Sequence, residues 1–242
     1  MTRQRLFVAS VFASFAVLLL LSVVIFQFGR RNPSPPSLQD NPNLAIPGEV
    51  IYLATNSCIT RISASGANKQ EIICPGRVDY LARLDERTIV YGFYGPPGGS
   101  PATQRDLITG DQSVHPTDPA ASVKFPLGYS PPDQRSVLDE FITVDPDGSV
   151  YRSNSTEPGR TRIFDCDCGE YKTPQFLTWS PDGQWVMLTF WKDGKPEQEL
   201  WILARDGSFA GTLAAAGHNA NASWFIEGKG VLPKSALTPV AR

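Results

Sequence analysis

Residues 176–213 constrain the fold more than any other stretch, because apolar runs alternate there with turn-forming residues. The first two runs flank Ser180-Pro181-Asp182-Gly183, and Asp-Gly pairs stand at 193–194 and 206–207. In the run that follows Gly183, both sets of alternating residues are mostly apolar. A strand that is apolar on both faces lies between two layers of structure. The stretch therefore predicts four antiparallel strands in one sheet that is covered on both sides.

Weaker copies of this pattern recur along the chain at a spacing typical of propeller blades. Their opening strands lie near Val78, Val123, Phe176 and Ala222, about 45 to 53 residues apart. A WD40-type blade takes about 40–45 residues and consists of four antiparallel strands. The many Gly and Pro residues, 20 and 21 of them, suit short strands joined by turns. The sequence thus predicts an all-β domain, a small β-propeller of about four blades.

The sequence WSPDGQWV at residues 179–186, followed by LWILARDGS at 200–208, resembles the PD40, or TolB-like, repeat of WD40-type propellers. The hallmark of that repeat is a Trp-Ser-Pro-Asp-Gly turn followed by a second apolar hairpin that ends in Asp-Gly. The close match covers residues 176–213 only. The resemblance implies a propeller architecture, and it implies little about activity because one fold hosts many functions.

The two ends of the predicted propeller are incomplete in complementary ways. Residues 50–74 provide only the second half of a blade, and residues 222–233 provide only a first half. Together the two halves make one blade, and this closure removes open sheet edges. We therefore expect the last blade to be closed by the N- and C-terminal hairpins. The alternatives are an open or curved stack of sheets and a propeller completed by another chain.

An uncharged apolar run from Leu6 to Phe28 precedes this domain. A helix over that run is about 35 Å long at about 1.5 Å per residue, which is enough to cross a bilayer. A cleaved signal peptide is the alternative, but it would have a shorter apolar region and a small-residue cleavage site. We therefore predict three segments: a cytoplasmic stub and transmembrane helix at 1–28, a Pro-rich linker at 29–47 and the propeller domain at 48–242. Membrane lipid would contact residues 6–28.

The orientation in the membrane rests on small differences. Arg3 and Arg5 precede the apolar run and Arg30 and Arg31 follow it, so the positive-inside rule decides little. The terminal amine favours a cytoplasmic N-terminus, and the cysteine pattern described next favours a domain outside the cytoplasm. We expect a single-pass cell-membrane protein whose C-terminal domain is extracytoplasmic, in the periplasm or at the cell surface.

Cys58 and Cys74 stand at equal distances from Gly66, the centre of a predicted hairpin. Directly opposed residues of such a hairpin have Cα atoms about 4.5–5.5 Å apart, which is within disulfide range. The same register makes two further sensible cross-strand pairs, Ile59 with Ile73 and Arg61 with Glu71. The spacing therefore predicts a Cys58–Cys74 disulfide. The alternative is two buried free thiols, which would suit a cytoplasmic domain.

The other two cysteines, Cys166 and Cys168, lie in the acidic sequence DCDCGE. Cys-x-Cys is too little for a zinc site without two further ligands, which leaves a Cys166–Cys168 bridge or two unlinked thiols. The carboxylates of Asp165, Asp167 and Glu170 weakly resemble a calcium loop, but the full ligand pattern is missing. We expect a polar turn between blades and no cofactor, with calcium as a weak alternative.

Sequence motifs for catalysis are scarce in this chain. It contains no Gly-x-Ser-x-Gly elbow of a serine hydrolase and no Walker-type phosphate loop. The two histidines, His115 and His218, give His-based chemistry few candidates. The net charge of -2 argues against a nucleic-acid surface, which needs clustered Lys and Arg.

Loops on a rigid propeller commonly serve binding. We expect contacts from the loops around 94–104, 155–161 and 191–197, with Tyr94, Trp191 and His218 as partner-contact candidates. The predicted function is that of a membrane-anchored, non-catalytic protein-binding or scaffolding module. Its partners would be other membrane or extracytoplasmic proteins, and it would be an accessory subunit of a membrane complex.

The alternative function is a ligand- or metal-binding propeller with an enzymatic activity in its channel. Its candidate residues are Asp165, Asp167 and His218. Bound metal in stoichiometric amount would favour this alternative over the binding module.

Overall fold

The computed structural model describes residues 44–92, 102–114, 135–156, 159–166, 174–191, 197–217 and 222–231. The predicted transmembrane helix at 6–28 lies outside these residues, as does most of the predicted linker at 29–47. Within the described part of the chain, no helix has both the length and the apolar character needed to cross a bilayer.

All regular elements of the described residues are β-strands, which confirms the all-β prediction. The strands are β1 (Glu49–Leu53), β2 (Ile59–Ser63), β3 (Gln70–Ile73), β4 (Tyr80–Arg83), β5 (Thr88–Gly92), β6 (Thr103–Asp106), β7 (Gln112–Val114), β8 (Glu140–Val144), β9 (Val150–Asn154), β10 (Thr161–Phe164), β11 (Gln175–Trp179), β12 (Trp185–Trp191), β13 (Gln198–Ala204), β14 (Ala210–Ala216), β15 (Ala222–Ile226) and β16 (Gly230–Val231).

These strands form four antiparallel sheets, an arrangement consistent with a β-propeller. The second and fourth sheets are the predicted four-stranded units, β4-β5-β6-β7 and β11-β12-β13-β14. The first sheet has the order β16-β15-β1-β2-β3, and the third has the order β10-β9-β8. The opening strand predicted near Val123 lies outside the described residues.

The turn between β11 and β12 illustrates how the sequence ends one strand and starts the next. Gly183 has a φ of 71°, a conformation that strains any residue with a Cβ. Its N–H donates to the Ser180 carbonyl at 2.9 Å. The Asp182 carboxylate accepts hydrogen bonds from the Ser180 hydroxyl at 2.5 Å and the Gln184 N–H at 3.1 Å. Ser-Pro-Asp-Gly therefore closes this hairpin through Gly backbone freedom and Asp side-chain acceptance.

The C-terminal strand β15 completes the first sheet, as predicted, by pairing with β1. Val50 lies opposite Trp224, and Ile51 lies opposite Ser223. The division of strands differs from the predicted joining of two half blades. The beginning of the domain contributes three strands, and β16 lies at the sheet edge outside β15. The reason is that β1 is buried on both faces from Val50 to Leu53, so it occupies an interior position between β15 and β2.

The cores between the sheets establish their stacking order. One face of the first sheet, including Val50 and Tyr52, packs against the fourth sheet. The other face, including Ile51 and Leu53, packs against the second sheet. The opposite face of the fourth sheet, including Leu188, packs against the third sheet. The sheets therefore stack in the order third, fourth, first, second, and the first sheet, which also holds β15 and β16 from the end of the described chain, lies between the fourth and the second.

The sheet ends form two faces. The upper face is formed by the sheet ends that carry the starts of β1 and β8 and the turns at 84–87, 107–111, 180–184 and 205–209. The lower face consists of the opposite ends. At the lower face the Gly217 N–H donates to the Leu53 carbonyl at 2.9 Å, which aligns the fourth sheet with the first.

Candidate functional site

A groove of about 700 Å³ opens on the upper face between the first and second sheets. The side chains of Phe225 and Ile226 in its lining are nearly buried, whereas Ile108 on its rim is 72% exposed. Glu86 and Glu227, in the turns at 84–87 and 227–229, add exposed carboxylates to the lining. The groove thus combines apolar contact surface with negative charge, and it lies on strands and tight turns rather than on long loops.

One ion-pair cluster forms the wall of this groove. Arg83 ends β4 of the second sheet, and its Nη1 lies 2.5 Å from Glu49 Oε1 at the start of β1. The Arg83 side chain is only 2% exposed, and its Nε and Nη2 donate to the carbonyls of Asp85 at 2.9 Å and Glu86 at 2.6 Å. Its guanidinium stacks over the Phe225 ring with 4.0 Å to the ring centroid. We call Glu49, Arg61 and Arg83 the first ion-pair cluster.

Burial and pairing act on the Arg83 charge in opposite directions. Burial, the larger effect, lowers the pKa of Arg83 from its ordinary value, and the hydrogen bond to Glu49 opposes it. Arg61 on β2 approaches the same carboxylate, with 3.8 Å between its Nε and Glu49 Oε2. Arg61 Nη2 also donates to Gln70 Oε1 at 2.6 Å. Glu49 is therefore shared by one buried and one half-buried arginine.

A second ion-pair cluster, formed by Glu140, Arg152 and Arg205, repeats this arrangement between the third and fourth sheets. Glu140 starts β8 as Glu49 starts β1. Arg205 donates from Nε and Nη2 to the two Glu140 oxygens at 2.6 and 2.5 Å, and Arg152 Nη1 lies 3.4 Å from Glu140 Oε1. The hydrogen bond to Glu140 raises the pKa of Arg205.

The strand register shows that the glutamate and its same-sheet arginine occupy equivalent positions in the two clusters. Arg61 lies opposite Ile51, two residues after Glu49, and Arg152 lies opposite Ile142, two residues after Glu140. In each cluster a further arginine comes from the sheet that follows in the chain. The clusters therefore join sheets in pairs at the upper face, first to second and third to fourth.

The lower face carries the predicted disulfide. Cys58 and Cys74 are bonded, with Cα atoms 4.0 Å apart, which confirms the sequence prediction. Ile59 lies opposite Ile73 as expected, but the predicted pair of Arg61 with Glu71 is wrong. An irregularity between Ile59 and Thr60 shifts the register, so that Thr60 lies opposite Glu71.

The acidic sequence at 165–170 is described only in part. The Asp165 side chain is exposed and pairs with Arg162 at 3.2 Å between Oδ2 and Nη1. Cys166 is disulfide-bonded. Asp167, Cys168 and Glu170 lie outside the described residues, and the predictions of a Cys166–Cys168 bridge and of a weak calcium site stay predictions.

The predicted contact residues fall mainly outside the described part of the chain. Tyr94 and His218 lie there, as does His115. Trp191 is half-buried at the end of β12, opposite Gln198, at the lower face.

The three predicted face loops do not leave from one face. The strands that flank 94–104 and 191–197 end at the lower face, whereas β9 and β10, which flank 155–161, meet at the upper face. Sequence reasoning could not assign these loops to a face, because it had no strand direction for each connection. It also missed both ion-pair clusters, whose only sequence signal is a Glu two residues before an Ile at the start of β1 and β8.

Comparisons with known proteins return similar structures at low similarity. No family model matches the chain, and no curated protein matches it. A nidogen/laminin complex is similar over 74% of this chain and 70% of that chain, with 10% identity and a TM-score of 0.28. An oligogalacturonate lyase in complex with manganese is similar over 65% of this chain and 48% of that chain, with 10% identity and a TM-score of 0.29. A prolyl endopeptidase structure is similar over 75% of this chain and 29% of that chain, with 14% identity and a TM-score of 0.25. This chain therefore spans less than a third of the length of that endopeptidase.

Proposed function

We propose that this chain is a non-catalytic protein-binding module, a small β-propeller whose upper face holds a segment of a partner protein. The observation that carries the proposal is the groove between the first and second sheets. Its rim carries the exposed Ile108, and its wall is the first ion-pair cluster. Exposed apolar side chains beside fixed charges are typical of binding surfaces.

The partner that fits this groove best presents an apolar side chain next to a basic group. Phe225, Leu107 and Ile108 provide the apolar contact surface. The charged groups of the lining are three carboxylates, Glu49, Glu86 and Glu227, and two guanidinium groups, Arg61 and Arg83, so the lining carries a small net negative charge. Complementary charge directs a partner and sets its register more than it raises affinity.

We further propose that residues 6–28 anchor the chain in the cell membrane, with the N-terminus cytoplasmic and the propeller extracytoplasmic. The uncharged apolar run and the disulfide support this topology, because disulfides persist mainly outside the cytoplasm. The PD40-like turn at 179–183 and the pairing of β15 with β1 support a closed ring of four sheets. Anchoring in the same membrane raises the effective concentration of the module near its membrane-protein partners. This is the situation of an accessory subunit.

The proposal is tested by purifying the tagged full-length chain from its native membranes in mild detergent. We expect a defined co-purifying protein with the wild-type chain and its loss with Ile108→Glu, which replaces the exposed apolar contact at the groove by a charge. Val114→Glu is the matched control, because Val114 is 67% exposed and lies away from the groove lining. Absence of any stoichiometric partner, or equal retention by both variants, would contradict the proposed binding role of the groove.

A further inference from the structure

We propose that Cys58, Glu71 and Cys74 form a redox-gated binding site for a thiophilic divalent cation, with Zn²⁺ as the best match. The disulfide closes the site, and its reduction to two thiols opens it. Two thiolates and one carboxylate are ligands that zinc accepts in tetrahedral sites, with water in the fourth position. The site is independent of the upper-face groove, because it lies at the opposite end of the first sheet.

The three ligand side chains already lie together at the lower face. One atom each of Cys58, Glu71 and Cys74 lie within 4.8 Å of one another, and Cys74 Sγ lies 4.0 Å from Glu71 Oε2. Zinc bonds of about 2.3 Å to sulfur and about 2.1 Å to oxygen place neighbouring tetrahedral ligands about 3.5–3.8 Å apart. The separation of Cys74 Sγ from Glu71 Oε2 is close to this value, whereas the two sulfurs must move apart from bonding distance after reduction, by rotation of the two cysteine side chains.

Asn56 holds the carboxylate in place through a bridge to the Cys58 backbone. Its Nδ2 donates to Glu71 Oε1 at 2.8 Å, and its Oδ1 accepts from the Cys58 N–H at 3.2 Å. This leaves Glu71 Oε2 facing the sulfur of Cys74. Hydrogen bonds of this kind orient metal ligands in known sites. Asn56 is therefore a positioning residue, and its arrangement is not needed for the disulfide itself.

The two sulfurs remain neighbours when their bond is broken. The Cys58 carbonyl accepts from the Ala54 N–H at 2.9 Å, and Ile59 stays opposite Ile73 in the β2–β3 ladder. These backbone contacts do not involve the sulfur atoms. Zinc binding to the reduced pair would therefore cost little chain entropy compared with assembling the ligands from an unfolded chain.

A dithiol reductant can reach the bond because Cys74 is exposed, whereas Cys58 is nearly buried. One thiolate of the reductant attacks Cys74 Sγ and displaces the Cys58 thiolate, and its second sulfur then displaces Cys74. The products are two protein thiols and one reductant disulfide, so two electrons and two protons pass to the protein. Zn²⁺ then replaces the two thiol protons, which are released to solvent.

The test uses the full-length chain with Cys166→Ser and Cys168→Ser, so that only one cysteine pair is left, and Co²⁺ as a spectroscopic probe for zinc. After reduction with a phosphine and removal of the reductant, we expect one Co²⁺ per chain, a thiolate-to-cobalt charge-transfer band and its loss on adding Zn²⁺. The oxidised chain should show no such band. Asn56→Ala should weaken Co²⁺ binding about tenfold, and Glu71→Gln should weaken it at least that much.

Two controls keep the outcome interpretable. Cys58→Ser should abolish the charge-transfer band, and Glu197→Gln, which changes an exposed carboxylate elsewhere, should leave the affinity unchanged. Circular dichroism follows whether the reduced chain keeps its β-structure. The proposal is overturned if the reduced chain binds no Co²⁺, whether folded or unfolded, or if Glu71→Gln and Asn56→Ala bind as tightly as the parent.

Discussion

At the residue scale, the most constrained charges are those of the two ion-pair clusters. Arg83 has almost no contact with solvent, so its charge depends on Glu49 and on two backbone carbonyls. A buried pair adds little net stability by itself, but removing one partner leaves an uncompensated charge in a low-dielectric interior. The clusters therefore make the junction of two sheets specific, because a displaced sheet would leave an arginine or a glutamate unpaired.

Glu49→Gln should lower the free energy of unfolding by about 2 kcal/mol, because it leaves the Arg83 charge buried without its carboxylate. The matched control is Asp145→Asn. Asp145 and Glu49 have the same side-chain exposure, 28%, but the partner of Asp145 is Arg160, which is 50% exposed. Breaking that pair should cost much less, because solvent screens the charge of the exposed Arg160. Denaturant unfolding of both variants checks the difference, and equal losses would contradict the role assigned to Arg83 burial.

At the element scale, the hairpin of β6 and β7 depends on one carboxylate. Asp106 accepts the N–H groups of Thr109 at 2.9 Å and Ile108 at 2.7 Å, and these hydrogen bonds lower the pKa of Asp106. A carboxyl whose pKa is lower in the folded chain contributes stability above its ordinary pKa. That contribution is lost as the pH falls through the lower, folded-state value. The turn at 107–111 should therefore loosen in acid.

Hydrogen exchange at the Ile108 amide measures this acid effect directly. We expect its protection, corrected for intrinsic exchange, to fall from about pH 4 downwards in the wild-type chain. Asp106→Asn keeps an acceptor but does not titrate, so its protection should vary less over the same range. Protection that stays constant in acid for the wild-type chain would show that the carboxylate does not hold the turn.

Strand β15 lies inside the first sheet, between β16 and β1. Trp224 on β15 is 2% exposed, and its Nε1 donates to the Pro47 carbonyl at 3.0 Å. Trp224→Ala should lower the free energy of unfolding by about 3–5 kcal/mol through the cavity that it leaves. Trp191→Ala, at a half-buried strand end, should cost less. Denaturant unfolding compares the two, and a loss at Trp224 no larger than that at Trp191 would contradict a central role of β15.

Much of this element-level structure could be predicted from sequence. Turn residues such as Asp182 and Gly183 mark their own hairpin, and a hairpin centred on Gly66 brings Cys58 to Cys74. Local features were sufficient in those cases because the interacting residues belong to neighbouring strands. The register shift between Ile59 and Thr60 left no such signal, because it inserts an irregularity without changing the apolar pattern.

The ion-pair clusters and the groove could not be predicted in the same way. Each cluster joins residues of different sheets, such as Glu140 and Arg205, which are far apart in the chain. Their meeting depends on which sheets stack and on which ends align. A sequence pattern specifies the faces of one strand, and it leaves the choice of neighbouring sheet open. The sequence therefore indicates loops, and not sheet junctions, as candidate binding sites.

At the scale of the whole molecule, the sheets are linked in the order third, fourth, first, second by three shared cores. A closed propeller adds one further junction, between the second and third sheets. The chain between those sheets includes residues 115–134, which lie outside the described residues. Tyr80, Val90 and Ala102 form a small apolar cluster on the second sheet, apart from the core that it shares with the first sheet. Ring closure would place the third sheet against this second face.

Ring closure is tested most directly by pulsed electron resonance distances between spin labels on the outer strands of the second, third and fourth sheets. Labels at Ser113, Thr161 and Ala215 occupy exposed positions on β7, β10 and β14. In a closed ring the second and third sheets are neighbours, so the distance from Ser113 to Thr161 should be shorter than that from Ser113 to Ala215. In an open stack the second and third sheets are its two ends, and a Ser113–Thr161 distance longer than the Ser113–Ala215 distance would contradict the propeller.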